Sequence, residues 1–356
     1  MERIWSSGMW QGFVPPQYIY ANRSFKAVVL EPPDYNPGSW TGAGKALFDP
    51  QTKQFLLTAR PRMAKNMARG FAANIYRSED GESFELAAGI GKEEMSRISG
   101  LTINSIEGTQ LLKDPLTSKW HFYISVDTDS EFVWGGLYWQ TLLLTASRLD
   151  GPWESSGLVL KNDQSYDAGQ ARDATIDIVD GRWYCLYKAI DGDRQRRPAL
   201  AVSTDGTAWS KQGVLTVDGE DKRVFLSGTL FATASGVMFA GLELESRQTG
   251  IEVSGGEVVY ADKHRVGHGG GPGPSFAAYL IDLRNRNLET IFRTPWEGQS
   301  EYEHPQHPLL GYGSLVYDPL KNRVLTYVEA IDGKMSRKMG LNETVERLLL
   351  YETKLT

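Results

Sequence analysis

Apolar and polar positions alternate in short runs along this chain, and one arrangement recurs: an apolar stretch, a tight turn, then an aromatic-rich stretch. It stands at ALFDPQTKQFLL (46–57), LLKDPLTSKWHFYIS (111–125), IDIVDGRWYCLY (176–187), LFATASGVMFAG (230–241) and LVYDPLKNRVLTYV (315–328). Two strand-like runs about a turn make each phrase a β-hairpin. A second phrase follows the first. ANIYRSEDGESFE (73–85), LLTASRLDGPWE (143–154) and LAVSTDGTAWSK (200–211) each join two alternating runs through Asp-Gly, the strongest short hairpin signal. In the fourth repeat YLIDLRNRNLETIF (279–292) takes that place. Each repeat therefore reads as four antiparallel strands, and starts roughly 55 to 85 residues apart have the spacing of propeller blades.

The pattern predicts an all-β, five-bladed β-propeller, a single domain over residues 1–356. The fifth repeat offers only three strands, 312–318, 323–330 and 346–354, and SFKAVVLE (24–31) is expected to supply the missing outer one. Insertions fall at 60–70, 127–138, 190–198, 244–274 and 330–345, connections that share one face of a propeller, so the functional site is expected there.

Aligned on their turns, the innermost strands begin at Gly42, Glu107, Asp173, Ser227 and Tyr312. Neighbouring repeats thus place Glu107 and Asp173 at equivalent points near the axis, where proximity and burial push carboxyl pKa values apart for acid–base chemistry. The alternative is that each carboxylate pins a neighbouring repeat through backbone N–H groups. The second strands end at the same face, in TARPR (58–62), SVDTD (125–129), KAIDGD (188–193), ELES (243–246) and EAIDG (329–333), which sets Lys188 opposite Glu329 at the rim. Glu243 and Glu245 alternate on one strand face. His304 and His307, in EHPQHP, are candidates for a general acid or for holding a channel metal or water, although this spacing is weak metal evidence and no metal is assigned.

Composition narrows the class. A hydrophobic content of 41 % supports a buried core, and a formal charge of −6 argues against a nucleic-acid surface. No apolar run reaches membrane-spanning length. The opening MERIWSSGMWQGFVPP lacks the features of a secretory signal, and a cytoplasmic location is expected. The single Cys185 excludes an intrachain disulfide. The run GHGGGPGP (267–274) precedes a strand rather than a helix and lacks the lysine of a phosphate-binding loop, so it is expected to be a lid.

With these residues in place, the chain resembles the five-bladed propeller glycoside hydrolases: arabinanases, xylosidases, arabinofuranosidases and the related invertase and levansucrase group. Arg172-Asp173 in ARDAT is similar to the Arg-Asp-Pro motif in which invertase-like members carry a transition-state-stabilising Asp, with Ala174 replacing the proline. The likeness spans residues 26–356. It departs at the first inner strand, where those enzymes carry an Asp and this chain reads SWTGAG with Asp34 upstream, and at the fourth, which begins with Ser227 rather than a glutamate. The resemblance implies a glycosidase acting on a small or modified glycan, with Glu107 and Asp173 flanking the scissile bond and Glu243, Glu245 or His304 supplying the remaining proton function. Arg60, Arg62, Lys65 and Arg69, with Arg194, Arg196 and Arg197, are expected to meet an anionic group, either an acidic or sulfated sugar or inorganic phosphate. Phosphate would align the chain with the mannoside phosphorylases. Trp40, Trp134, Tyr138 and Trp139 offer flat faces to sugar rings, and Arg172, Lys188 and Glu329 complete the expected contacts. Carbohydrate is the expected partner and no cofactor is expected; a non-catalytic glycan-binding propeller is the remaining alternative.

Overall fold

In the hairpins with the sequence Asp-Pro, the aspartate folds the turn onto itself. Asp49 accepts the N–H of Gln51 at 3.0 Å, Asp114 that of Leu116 at 2.9 Å and Asp318 that of Leu320 at 2.9 Å. Each turn then reverses through a residue in the left-handed region, Lys53, Ser118 or Asn322. The Asp-Gly turns repeat a different device. The Ser78 hydroxyl accepts the N–H groups of Asp80 (3.2 Å) and Gly81 (2.9 Å), while Asp80 accepts those of Glu82 (2.8 Å) and Ser83 (2.9 Å). Ser203 and Asp205 do the same for Asp205, Gly206, Thr207 and Ala208. Gly81 and Gly206 both take φ of +72°, which a side chain at either would strain.

The computed structural model describes residues 14–36, 38–63, 68–128, 138–193, 195–233, 235–245, 251–254, 257–260, 274–303, 310–331 and 345–355. Helix α1 (Pro16–Ala21) and strand β1 (Ser24–Leu30) come first. The first group of strands is β2 (Trp40–Gly42), β3 (Ala46–Asp49), β4 (Gln54–Arg62), β5 (Ala72–Ser78) and β6 (Glu85–Gly91), with β2 and β3 forming one inner edge against β4. Helix α2 (Lys92–Ser99) leads to the second group, β7 (Ser105–Lys113), β8 (Trp120–Asp127), β9 (Trp139–Ala146) and β10 (Glu154–Leu160). The third is β11 (Gln170–Val179), β12 (Arg182–Ile190), β13 (Arg196–Ser203) and β14 (Ser210–Val214). After the short β15 (Thr216–Val217) come β16 (Val224–Thr233) and β17 (Gly236–Glu245) of the fourth group, then a separate hairpin, β18 (Ile251–Ser254) with β19 (Glu257–Tyr260). The fourth group ends with β20 (Ser275–Asp282) and β21 (Asn287–Pro295), and the fifth holds β22 (Leu310–Asp318), β23 (Arg323–Ile331) and β24 (Glu346–Lys354).

Successive strands of each group pair antiparallel, and β1 pairs antiparallel with β24. The all-β class predicted from the alternation is observed. Helices α1 and α2 escape that pattern, as does the β18–β19 hairpin inside the stretch read as a loop at 244–274.

The inner strand of each group lies against that of the next, β3 on β7, β7 on β11, β11 on β16, β16 on β22 and β22 on β3. Apolar side chains fill the layers between groups. Leu47 and Ile75 share one buried cluster with Ile106 and Phe122, Leu143 shares another with Trp183 and Cys185, and Leu186 a third with Leu230 and Phe239. Phe276 shares a cluster with Leu315 and Val328, and Leu325 and Leu350 share one with Phe55 and Leu57 of the first group. Tyrosine hydroxyls latch neighbouring groups: Tyr123 donates to the Gly206 carbonyl at 2.7 Å and Tyr327 to the Gly81 carbonyl at 2.6 Å. These contacts fix the opposite ends of the inner strands relative to one another.

Candidate active site

At those opposite ends the pairing breaks register. It slips between Ile106 and Thr109, between Arg172 and Thr175, and between Leu310 and Gly313, at equivalent places in three groups. A bulge re-aims the side chains it carries. Asp173 (φ +56°) and Ala43 (φ +55°) sit in the left-handed region, a conformation costing a non-glycine residue about 1–3 kcal/mol unless its surroundings hold it.

The surroundings of Asp173 do hold it. Its Oδ1 accepts the Gly108 N–H (3.2 Å) and lies 3.3 Å from the Ser125 hydroxyl, whose oxygen accepts the Asp173 N–H at 2.9 Å. Its Oδ2 accepts the Tyr312 hydroxyl at 3.0 Å, is in contact with the Lys188 ammonium and lies 3.7 Å from Arg172. Burial alone would raise the Asp173 pKa; Arg172, Lys188 and Tyr312 outweigh it and hold the carboxyl ionised, far below the usual range. Lys188 is itself brought down to about 7 by burial and by Arg172, against the pull of Asp173.

Glu107 stands beside it. Its Oε1 is 2.8 Å from Arg60 Nη2 and its Oε2 is 3.9 Å from Arg62 Nη1. Burial opposes its charge, but Arg60, then Arg62 and Arg172, lower its pKa. Its side chain is 10 % exposed against 1 % for Asp173, so Glu107 is the more reachable of the two. Arg60 Nη2 also lies 3.6 Å from Glu329, whose other oxygen accepts the Ala43 N–H. Lys45, buried and lowered to about 7 by desolvation, donates to the Ser227 hydroxyl (3.0 Å) and the Gly313 carbonyl (2.8 Å). The five inner-strand starts nominated by alignment thus converge on one buried charged cluster.

The remaining candidates fall around it or apart from it. Trp40 stacks under Arg62 at 4.1 Å, and Trp139, buried, under Arg172 at 4.5 Å. Both tryptophans stand at parallel bridges between groups, Trp40 opposite Glu346 and Trp139 opposite Gln170. Arg69 pairs with Asp127 at 2.8 Å, and Arg196 bears on Lys188. Arg197 is engaged by Asp191 (3.5 Å) and Asp221 (2.9 Å). Glu243 is held within its own group by the Tyr279 hydroxyl and by Arg293 at 2.7 Å. Glu245 ends β17, and its side chain lies outside the described set, as do Lys65, Trp134, Arg194, His304, His307 and residues 267–273 of the glycine run. No group of three or more His, Cys, Asp or Glu suited to a metal occurs among the described residues.

Lys45, Asp127 and Glu346 belong to the cluster and were not nominated as site residues. Glu346 opens β24, so extending the strand-start alignment to third strands is the signal that finds it. Burial, followed by the hydrogen bond to Glu329 and its charge, raises the Glu346 pKa well above the ordinary value.

No protein-family profile and no curated protein sequence matches the chain. Solved structures do resemble its fold. A β-1,2-mannobiose phosphorylase from Listeria innocua aligns with a TM-score of 0.56 at 14 % identity, over 94 % of this chain and 96 % of that one. A glycosyl hydrolase from Bacteroides ovatus aligns at 0.53 and 12 %, over 96 % of both. A family 117 glycoside hydrolase from Zobellia galactanivorans aligns at 0.51 and 12 %, over 98 % of this chain and 89 % of that one.

Proposed function

We propose that the chain is a five-bladed β-propeller enzyme that processes glycans, and that it is a glycoside hydrolase. The observation that carries this reading is the convergence of Glu107 and Asp173, from equivalent points of adjacent groups, on one cluster of cations. Asp173, ionised and fixed on every side, suits the stabilisation of positive charge developing at a sugar carbon. Glu107, more exposed and tied through Arg60, suits the base or nucleophile. The fold likeness to glycoside hydrolases supports the class of chemistry.

A second reading, a phosphorylase, is favoured by one feature. Arg60 Nε and Nη1 and Arg69 Nε are buried donors with no acceptor among the described residues, and oxygens of phosphate match such donors. An acidic sugar would use them equally.

Aryl glycosides and acidic and neutral oligosaccharides, incubated with and without inorganic phosphate, separate the readings. Hydrolysis without phosphate is expected. Turnover only with phosphate, releasing a sugar phosphate, replaces the first reading by the second, and saturable glycan binding without turnover leaves a binding propeller in which Asp173 serves to pin Gly108.

A further inference from the structure

Where the second and third inner strands carry Glu107 and Asp173, the first carries Gly42 and brings no side chain to the cluster. Glu329, from β23 of the fifth group, fills that place. A Cβ on Gly42 would stand 2.1 Å from its Oε2 and 2.6 Å from its Cδ, and one on Gly311 3.2 Å from its Oε1. The Glu329 side chain is 1 % exposed, and both its oxygens are engaged: Oε2 accepts the Ala43 N–H, and Oε1 lies 3.6 Å from Arg60 Nη2.

Two routes lead from Glu329 to Glu107. Arg60 Nη2 also holds Glu107 Oε1 at 2.8 Å, so one guanidinium nitrogen stands between the two carboxylates. The second route runs through the backbone. Ala43, at φ +55° with its N–H on Glu329, accepts the Thr109 N–H on its carbonyl at 2.7 Å. Thr109 closes the register slip that opens at Ile106 and contains Glu107.

We propose that Glu329 is a positioning residue for Glu107, supplying from the fifth group the carboxylate that Gly42 does not bring. The inference rests on reading Glu107 as the working carboxylate. Packed between two glycines, Glu329 acts through its neighbours. It divides the Arg60 charge with Glu107, and it holds the left-handed residue to which the Glu107 bulge is hydrogen-bonded. Without it the Arg60 charge goes to Glu107, which weakens that carboxylate as base or nucleophile, and Ala43 loses the acceptor that keeps its backbone turned.

Crystal structures of the wild type and Glu329→Ala test the backbone route without requiring turnover. In the variant Ala43 is expected to leave the left-handed region and its hydrogen bond with Thr109 to open; an unchanged backbone at both residues overturns the proposal. Kinetics on a glycan that the wild type turns over tests the charge. Glu329→Gln, which keeps an acceptor for Ala43, is expected to lower kcat roughly tenfold with KM little changed, and wild-type kcat in the folded variant overturns the proposal. Moving the carboxylate tests its place. Glu329→Gly and Gly42→Asp are each expected to lose activity, and the two together to recover most of the kcat, since an aspartate at position 42 then enters the space that Glu329 leaves. A folded double variant no more active than Glu329→Gly also overturns the positioning role. Absence of any glycan turnover, with the crystallographic change as expected, counts against the glycosidase reading alone.

Discussion

Acidic residues stand at both ends of these sheets and meet different partners there. At the turn end, Asp80 and Asp205 accept backbone N–H groups of their own loops, and the same geometry is written twice. At the other end, Glu107 faces two arginines, Asp173 faces a lysine, an arginine and a tyrosine, and Glu346 faces another carboxyl. A carboxylate whose lone pairs are filled by its own loop closes a turn. One whose neighbours are charged side chains has a proton affinity that the fold sets, in opposite directions for Asp173 and Glu346, and that is the condition for acid–base work. Asp173 joins the two classes, since its Oδ1 pins the neighbouring group while its Oδ2 faces the cations.

The contrast is most strongly tested at Asp173. Asp173→Asn is expected to lower kcat/KM on the order of a thousandfold on any glycan the wild type turns over. It also leaves Lys188 and Arg172 short of an anion, and a lower melting temperature is expected with it. Arg60→Ala removes the cation shared by Glu107 and Glu329 from a fully buried position, and chemical denaturation is expected to show a loss of about 3–5 kcal/mol. At the turn end, Asp205→Ala is expected to cost about 1–2 kcal/mol through its lost hydrogen bonds while leaving kcat/KM unchanged. A large activity loss there would erase the distinction.

The smallest effects are in pH dependence, and the two carboxyls have opposite signs. Asp173, with its pKa depressed, contributes stability that is present above the ordinary aspartate range and is lost as pH falls through that range toward its lowered value. Glu346, with its pKa raised, binds a proton in the folded state that the unfolded chain releases, so stability falls as pH rises from the ordinary glutamate range toward its raised value. Melting temperatures across pH are expected to decline less toward alkaline pH in Glu346→Gln than in the wild type.

The turn end was legible in the sequence because its physics is local. Asp-Pro and Asp-Gly specify their hairpins within a few residues, and the alternating runs beside them specify strands. Alignment of those strands nominated Glu107 and Asp173, and the bulges that aim them lie where the strands begin. Glu346 and Lys45 were not legible in that way, since their placement arises from approaches between groups: Lys45 to Ser227 and Gly313, Glu346 to the Ser39 carbonyl. Trp139, expected as a sugar platform, is covered by Arg172, a contact between side chains from different groups that no local pattern encodes. Helix α2 escaped because only Met95 of its residues is buried, leaving little periodicity to read.

The central claim is that the charged cluster at the inner-strand starts, rather than any acid elsewhere, performs glycan chemistry. Its most direct test is kcat/KM of Glu107→Gln beside that of Asp205→Ala on the best glycan substrate, with both variants shown to be folded. The account predicts a loss on the order of a thousandfold for Glu107→Gln and wild-type activity for Asp205→Ala. Wild-type turnover by folded Glu107→Gln would contradict it.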